Sequence, residues 1–299
     1  MANIPAAKVQ PLTKQHESLR NSPFEHPTRI SPAPIITANK DLLQTPNQTE
    51  HHIKIPDLTI HTAEEQHNTY TMAAADAPPD SHIDTATALA YWSSTEPTVN
   101  GVLGGFPQVS RIDLQGSSNF FAKLRRASKT HPATAGKLAR AADCGAGIGR
   151  ITTGFLANVA EVVDVIEPVK EFTDVLKAGE GGVGEILNVG LEAWQPAHTY
   201  DLIWNQWCVG QLPDAQLVAY LQRATVALSE GGWIVVKENL SNDHRGEDVY
   251  DETDSSVTRT DEKFRQIFKD AKLKIVATEL QRGMPKGLYE VRSYALQPM

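Results

Sequence analysis

Residues 143–149 read Asp-Cys-Gly-Ala-Gly-Ile-Gly, and this stretch decides the fold. It follows a short run, Leu138 to Asp143, that is predicted as a strand, and it precedes helical spacing that reaches about Val159. Glycines let the backbone turn sharply and approach a ligand closely. Open α/β sheets bind ligands at the carboxyl ends of their strands. The stretch therefore predicts a ligand-binding unit of strand, turn and helix.

Strand and helix signals alternate along the rest of the chain. A helix capped by Asp84 and ending near Pro97 comes first, followed by a glycine-rich loop at 100–107 and a helix at 117–127. The further predicted strands are 161–166, 184–189, 200–207, 233–237, 273–279 and 288–295, and the further predicted helices are 169–178, 214–228 (stopped by Gly231-Gly232) and 261–271. This alternation predicts an α/β fold with a doubly wound, mostly parallel seven-stranded sheet, with the last two strands as an antiparallel edge pair.

Residues 1–80 differ in composition from the rest of the chain. They hold ten of the 18 prolines and six of the 10 histidines, and they show no sustained apolar periodicity. Such a segment buries too little apolar surface to offset its ordering entropy. We therefore expect a disordered leader at 1–80 and one folded domain at 84–297. The pair His51-His52 lacks a fixed scaffold, so we expect no metal site there.

Composition excludes several classes of function. The net charge is −8, from 28 Lys+Arg and 36 Asp+Glu, which disfavours general nucleic-acid binding and suits a cationic partner. The sequence contains no apolar stretch of about 18 residues, so it includes no candidate for a membrane-spanning helix. The two cysteines, Cys144 and Cys208, do not have the spacing of a zinc or redox motif. We expect a protein of the cytoplasm, and also of the nucleus, with no metal and no membrane partner.

An acidic residue accompanies the glycine turn. Glu167 ends the second predicted strand, 22 positions after Gly145, where a carboxylate can accept hydrogen bonds from both hydroxyls of a ribose. The G-x-G-x-G spacing departs from the G-x-G-x-x-G of pyrophosphate binders, which disfavours a nicotinamide dehydrogenase. These features predict a nucleoside site, and S-adenosylmethionine is the common cofactor of that shape. A tight turn without a ligand is the alternative interpretation.

Residues 143–151 resemble the cofactor motif of the protein α-N-terminal methyltransferases. The resemblance extends over about 84–297 and includes Tyr91-Trp92 and the segments 97–105, 190–194, 203–207, 237–239 and 254–259. It implies a class I, Rossmann-like methyltransferase fold with an N-terminal helical lid and S-adenosylmethionine as cofactor. The implied reaction is methylation of the α-amino group of proteins that start X-Pro-Lys after Met removal. The implied partners are such N-terminal tails, those of ribosomal proteins among them.

The resemblance also implies which residues contact the cofactor. Gly145 and Arg150 would contact its methionine part, where a guanidinium pairs well with a carboxylate. Glu167 would bind the ribose and Pro168 would border the adenine. The other implied cofactor contacts are Leu191 and Glu192, beside the adenine, and Gln206, at the end of the fourth strand. A surface role for Arg150 and simple core packing for Leu191 are the alternatives.

On the substrate side, the resemblance implies a second group of residues. Trp207 would pack against the substrate proline, whereas Trp204, three residues earlier, would belong to the core. Asn239 would hydrogen-bond the first substrate residue, and Asp251 and Asp254 would lie near the substrate amine and lysine. The implied lid residues are Tyr91, Trp92, Leu103 and Gly104. Without the resemblance, the lid is a covering helix and loop, and 251–254 is a solvated acidic loop.

The chemistry assigns a base to this group. A terminal amine has a pKa of about 7.7–8.0 and needs only modest help to lose its proton. Asp254 is predicted to accept that proton, directly or through water. Gln211 stands where familiar animal members carry a histidine that is proposed as a second base, and glutamine accepts no proton at physiological pH. We therefore expect Asp254 or water to carry more of this role.

Two other functions stay open at this point. One is methylation of another amine, on a small molecule or at another protein site, and the other is a nucleoside-binding module without catalysis. Activity on an amine that lacks Pro and Lys would favour the first. A nucleic-acid amino-methylase is disfavoured because 204–207 reads Trp-Asn-Gln-Trp instead of Asn-Pro-Pro-aromatic. The sequence determines neither the number of methyl groups added nor the oligomeric state.

Overall fold

The computed structural model describes residues 77–299. The predicted leader at 1–80 lies outside these residues except for its last four, and Pro79–His82 form a turn of 3-10 helix. Three helices follow: α1 (Thr85–Ser94), α2 (Val99–Val102) and α3 (Val109–Ala127). Within 77–299, no helix is both long and apolar enough to cross a lipid bilayer.

Nine strands follow within the described residues, 77–299. They are β1 (Leu138–Cys144), β2 (Ala160–Ile166), β3 (Val183–Leu187), β4 (Tyr200–Gln206), β5 (Leu228–Leu240), β6 (Val249–Asp251), β7 (Ser256–Thr258), β8 (Leu273–Leu280) and β9 (Glu290–Pro298). Seven of them form one sheet in the order β3-β2-β1-β4-β5-β9-β8. Strands β1 to β5 run parallel, and β9 is antiparallel to both β5 and β8. The predicted doubly wound, mostly parallel seven-stranded sheet is confirmed.

Helices cover both faces of this sheet. The remaining ones are α4 (Ala157–Val159), α5 (Lys170–Thr173), α6 (Asp214–Val226) and α7 (Asp261–Asp270). One apolar core includes Tyr220 of α6 and Phe264 of α7, and the other includes Phe121 of α3 and the indole of Trp204. Every residue of β4 is buried, as expected for a central strand covered on both faces. The prediction that Trp204 belongs to the core is confirmed.

Two predicted helix boundaries are wrong. The helix predicted at 117–127 begins earlier, at Val109. In α3 the polar residues Asp113 and Ser117 point toward the protein interior. Polar residues at these inward positions interrupt the apolar spacing that would have revealed the first two turns. The helix predicted at 169–178 is only the short α5, and the glycines at 179, 181 and 182 that follow it have positive φ angles.

Other glycines also differ from their predicted roles. Gly231-Gly232 lie inside β5 and do not end α6, which stops at Val226. The segment 100–107, predicted as a loop, begins in α2. The antiparallel hairpin of β6 and β7 was not predicted, because its strands are only three residues long and show no apolar alternation. This hairpin matters because it carries the predicted catalytic acids.

Candidate active site

The glycine turn lies at the carboxyl end of β1, between β2 and β4. Gly145 and Gly147 have φ angles of +66° and +55°, a region that favours glycine. A Cβ atom on Gly145 would lie 2.2 Å from the Cβ atom of Cys208, which follows β4. Because the turn packs this closely against the neighbouring segment, position 145 requires glycine for space as well as for backbone conformation.

Glu167 points toward this turn. Its Oε2 accepts a hydrogen bond from the Gly147 N–H at 2.8 Å, and its Oε1 accepts one from the Val169 N–H at 2.9 Å. The residue is 6% exposed, and burial raises the pKa of its carboxyl to about 7 although both N–H groups favour the charged form. The turn and the end of β2 thus hold a partly protonated carboxylate where the sequence predicts the ribose-binding group.

A cleft with an empty volume of about 1150 Å³, open to solvent at its mouth, runs beside the turn. All seven predicted cofactor residues line it: Gly145, Arg150, Glu167, Pro168, Leu191, Glu192 and Gln206. On the lid side it is closed by Leu89 and Trp92 of α1 and by Leu103, which follows α2. The structure therefore brings the predicted cofactor residues together around one concave space.

Arg150 lines this cleft and forms an ion pair with a side chain that was not predicted, that of Asp113. Its Nη1 donates to Oδ2 of Asp113 at 2.6 Å, and its side chain is 9% exposed. Its guanidinium also lies 5.5 Å from the ring centroid of Trp207. The alternative of a surface arginine is wrong. A guanidinium carries five N–H donors, so donors remain for a ligand carboxylate.

A second, smaller pocket adjoins the cleft. Trp207 and Gln211 line both spaces, and Asn239 and Asp254 line the smaller one. Three predicted substrate residues therefore share this pocket, with the indole of Trp207 at the boundary between the two spaces. Asp251 is partly buried but is not among the residues that line either space.

Trp207 itself has two unusual features. Its φ angle is +55°, and a left-handed conformation costs a residue other than glycine about 1–2 kcal/mol. Its indole N–H is buried and has no hydrogen-bond partner within residues 77–299. Strained backbone and unpaired buried donors are concentrated at ligand sites. The two features together make Trp207 a candidate ligand contact.

Asp254 lies in the turn of the β6–β7 hairpin and is 2% exposed. Its Oδ1 accepts a hydrogen bond from Ser256 Oγ at 2.7 Å, and Gln211 Nε2 lies 3.5 Å from its Oδ2. Burial, reinforced by the charge of Asp251, raises the pKa of Asp254 to about 6. The alternative of a solvated loop is wrong for Asp254, although Glu252 and Thr253 are exposed.

The predicted lid begins where α1 meets this hairpin. Asp84 caps α1 as predicted, since its Oδ1 accepts the Thr87 N–H at 2.7 Å. The backbone N–H of Asp84 donates to Ser255 Oγ at 2.7 Å, which joins α1 to the residue after Asp254. Burial and the charges of Asp254 and Asp251 raise the pKa of Tyr91, although Tyr91 lines neither space.

The other predicted lid residues differ in position. Trp92 lines the cleft and its ring lies 6.5 Å from that of Phe172 on α5. Leu103 is buried and also lines the cleft. Gly104 has a φ angle of +57°, lies in the turn that follows α2 and lines neither space.

Comparison with known proteins identifies the family. Residues 80–297 match the family described as AdoMet dependent proline di-methyltransferase. The chain belongs to this family. It is 43% identical to alpha N-terminal protein methyltransferase 1 of Schizosaccharomyces pombe, over 71% of this chain and 94% of that protein. It is 38% identical to N-terminal Xaa-Pro-Lys N-methyltransferase 1-A of Xenopus laevis, over 70% of this chain and 93% of that protein.

A solved structure agrees with this membership of the proline di-methyltransferase family. A SAM-dependent methyltransferase from Leishmania major superposes with a TM-score of 0.63 at 35% identity, covering 71% of this chain and 82% of that one. The predicted resemblance, the enzyme class and the cofactor, S-adenosylmethionine, are therefore confirmed.

The lining of the cleft fits this methyltransferase cofactor. Glu167 and Arg150 line the cleft, and they could accept hydrogen bonds from ribose hydroxyls and donate to a carboxylate, respectively. Phe172 and Leu191 add apolar surface suited to a purine ring. Trp207 also lines the cleft, and its indole N–H has no hydrogen-bond partner within residues 77–299.

Sequence reasoning missed one acid of this methyltransferase site. Glu238 lines the smaller pocket, is buried, and accepts the N–H groups of Cys208 and Val209 at 2.8 and 3.0 Å through Oε1. Burial raises the pKa of Glu238 to about 7. The two hydrogen bonds to Glu238 hold the segment between Trp207 and Gln211 in place. The available signal was its place inside the motif at 237–239, directly before Asn239.

Proposed function

We propose that this protein transfers methyl groups from S-adenosylmethionine to the α-amino group of proteins that begin X-Pro-Lys. The observation that carries the proposal is the junction at Trp207, where the cofactor cleft meets a small pocket containing a buried acid and an amide, Asp254 and Asn239. A buried carboxylate beside an amide suits an amine and a neighbouring peptide group. The Schizosaccharomyces and Xenopus relatives are named for methylation at protein N-termini.

The proposed cofactor contacts follow the lining of the cleft. Glu167 accepts the ribose hydroxyls, Arg150 pairs with the carboxylate of the methionine part, and Pro168 borders the adenine. The remaining proposed contacts are Gly145 at the methionine part, Leu191 and Glu192 beside the adenine, and Gln206 at the end of β4. When bound, S-adenosylmethionine supplies an electrophilic methyl group.

The proposed substrate contacts surround the smaller pocket. The indole of Trp207 packs against the substrate proline, and Asn239 hydrogen-bonds the first residue. The charge of Asp251 attracts the substrate lysine, and Asp254 faces the amine. Tyr91, Trp92, Leu103 and Gly104 form a lid that excludes water from this space. A dry site that aligns the two reactants supplies much of the rate enhancement.

Proton removal is the step for which Asp254 is suited. With a pKa of about 6, its carboxylate is mostly charged at neutral pH yet more basic than an ordinary aspartate. An amine with a pKa of about 7.7–8.0 loses its proton to such a base at small cost. The neutral nitrogen then has the free lone pair that it needs to act as a nucleophile.

A peptide assay tests the proposed substrate. The full chain is incubated with S-adenosylmethionine and a hexapeptide beginning Ser-Pro-Lys, and methyl mass is measured. A copy with an acetylated α-amine is the first control, and a peptide lacking Pro and Lys is the second. We expect added methyl mass on the free peptide alone. Equal methylation of the second control would favour a broader amine methyltransferase, and no methylation of any amine would favour a binding module.

Two further points are proposals about partners and location. We propose that ribosomal proteins are among the substrates, because a chain of net charge −8 attracts basic proteins. We propose the cytoplasm and the nucleus as its locations, where N-termini of newly made proteins are accessible. Imaging of a fluorescent fusion tests the second proposal, and methylation of a purified ribosomal protein that begins X-Pro-Lys tests the first.

Cofactor affinity is expected to increase as pH rises through about 7. Ribose hydroxyls donate hydrogen bonds to a charged carboxylate, so binding favours ionised Glu167, whose pKa in the free protein is about 7. Below this pH, binding must release a proton and the affinity falls. Calorimetry at about pH 6 and about pH 8 measures this change. Glu167→Gln should bind about 10–100-fold more weakly at the higher pH and lose the pH dependence at Glu167.

Placing histidine at position 211 is expected to lower the pH at which activity declines. Gln211 Nε2 lies 3.5 Å from Oδ2 of Asp254, so a protonated imidazole there would stabilise the charged carboxylate. The acidic limb of the pH–rate profile of Gln211→His should therefore move below about 6. Gln211→Asn, which adds no charge, is the control, and an unchanged limb in the histidine variant would contradict the expectation.

A further inference from the structure

A cluster of charged side chains lies beneath the cofactor cleft. Asp113 of α3 and Lys237 of β5 are both 0% exposed, and Lys237 Nζ lies 2.5 Å from Oδ1 of Asp113. Lys237 Nζ also contacts Ser117 Oγ at 2.9 Å. Burying two charges is costly unless they are paired and hydrogen-bonded, as they are here. A buried ion pair at this place suggests that Asp113 of α3 has a role besides packing.

The Asp113 carboxylate also contacts two residues of the cleft. Oδ2 accepts from Arg150 Nη1 at 2.6 Å, and both oxygens lie 2.8 Å from Gln206 Nε2. Burial opposes ionisation of Asp113, but the charges of Lys237 and Arg150 together hold its pKa below the usual value. One buried anion therefore binds two polar side chains of the cleft, one directly after the glycine turn and one at the end of β4.

We propose that Asp113, held by Lys237, is a positioning residue that fixes Arg150 and Gln206 in the orientation in which they contact the cofactor. This inference rests on the cofactor contacts proposed above. Lys237 compensates the charge of Asp113, so the guanidinium of Arg150 retains positive charge for a ligand carboxylate. Asp113 lines neither space, so it acts only through its partners.

The geometry of Arg150 shows why such a support is needed. Its guanidinium is in contact with the carboxylate on one side and lies 5.5 Å from the ring centroid of Trp207 on another. A long side chain loses rotamer entropy when a ligand orders it. Because Asp113 orders it beforehand, cofactor binding does not carry that cost.

The test is calorimetric titration of the full chain with S-adenosylmethionine. We expect Asp113→Asn to raise the Kd at least about 10-fold. With saturating cofactor and peptide, kcat should stay within about 3-fold of the native value, since the reacting atoms are untouched. A variant that merely damages the fold would lower kcat as well.

Two further variants distinguish a loss of positioning of the cofactor contacts from a loss of folding stability. In Asp113→Asn/Lys237→Met the unpaired buried charge is removed, so the Tm should recover while the Kd stays raised. Asp164→Asn breaks another ion pair with a buried carboxylate, in which Nη1 of the partly exposed Arg140 lies 2.6 Å from Asp164 Oδ2, and Asp164 does not line the cleft. This control should lower the Tm and leave the Kd within about 3-fold.

A double-mutant cycle gives the decisive result. If Asp113 acts through Arg150 and Gln206, Asp113→Asn should raise the Kd by less than about 3-fold in an Arg150→Met/Gln206→Met background. Full additivity, or a native Kd in Asp113→Asn/Lys237→Met, would overturn the inference. The titration uses no peptide, so failure of the X-Pro-Lys assay would remove the proposed substrate and leave this result interpretable.

Discussion

Asp254→Asn is expected to lower kcat by about 10²–10⁴-fold while the Kd for S-adenosylmethionine stays within about 2-fold. The substitution keeps the size of the side chain and its contact with Ser256 Oγ, but an amide accepts no proton from the substrate amine. Asp254 lies in the smaller pocket and not in the cofactor cleft, so cofactor binding should not change. Single-turnover methylation of the hexapeptide and calorimetry measure the two quantities.

The pH profile provides a second signature of this variant. With saturating cofactor, kcat/KM for the peptide should rise with pH through about 6, as Asp254 becomes able to accept a proton, and stay level up to about 8, where the amine still carries the proton that Asp254 takes. The slope of the logarithmic plot should therefore be about 1 below pH 6 and about 0 between the two pKa values. The kcat/KM of Asp254→Asn should instead rise through about 8, because its amine substrate must lose the proton to water before it reacts.

Glu252→Gln is the matched control for Asp254→Asn. Glu252 lies in the same hairpin turn and is exposed, so loss of its charge should change kcat by less than about 2-fold. Equal losses in both variants would indicate that the charge of the hairpin acts at long range. If Asp254→Asn retained native kcat, the assignment of Asp254 as the base would be wrong.

Gly145→Ala is expected to weaken cofactor binding more than about 100-fold. The new Cβ would lie 2.2 Å from the Cβ of Cys208, so the glycine turn or the segment after β4 must move. Both segments line the cleft, and the turn also holds Glu167 through the Gly147 N–H. The φ angle of +66° adds about 1–2 kcal/mol of backbone strain for alanine.

Two variants separate the effect of the steric clash at position 145 from the effect of backbone strain. Gly136 has a φ angle of +81° and no atom within 4 Å of a new Cβ, so Gly136→Ala should cost stability and leave the Kd unchanged. Cys208→Gly removes the atom that the new Cβ at position 145 would meet, so Gly145→Ala/Cys208→Gly should recover at least about 10-fold in affinity. A double variant as weak as Gly145→Ala would show that strain, and not the collision, is responsible.

The sequence alone determined the parts of this protein that depend on local order. The sequence has glycines between a strand and a helix, and Glu167 at the end of the next strand. Because parallel strands align their carboxyl ends, this order predicts a nucleoside site at the carboxyl ends of the strands. The alternation of strands and helices determined the sheet and its antiparallel edge pair. The motifs around Trp207 and Asn239 pointed to the family, and the structure places both residues at the smaller pocket.

Only the tertiary structure decided which polar groups are buried together. Asp113 and Lys237 are 124 positions apart, and nothing in the spacing of α3 or β5 indicates that they meet beneath Arg150. The contacts of Glu238 with the segment after β4 and the burial of Asp254 in a short hairpin also arise from folding. Hydrogen bonding and desolvation depend on distance in space, so residues far apart in the chain acquire shifted pKa values and shared partners only once the helices have closed over the sheet.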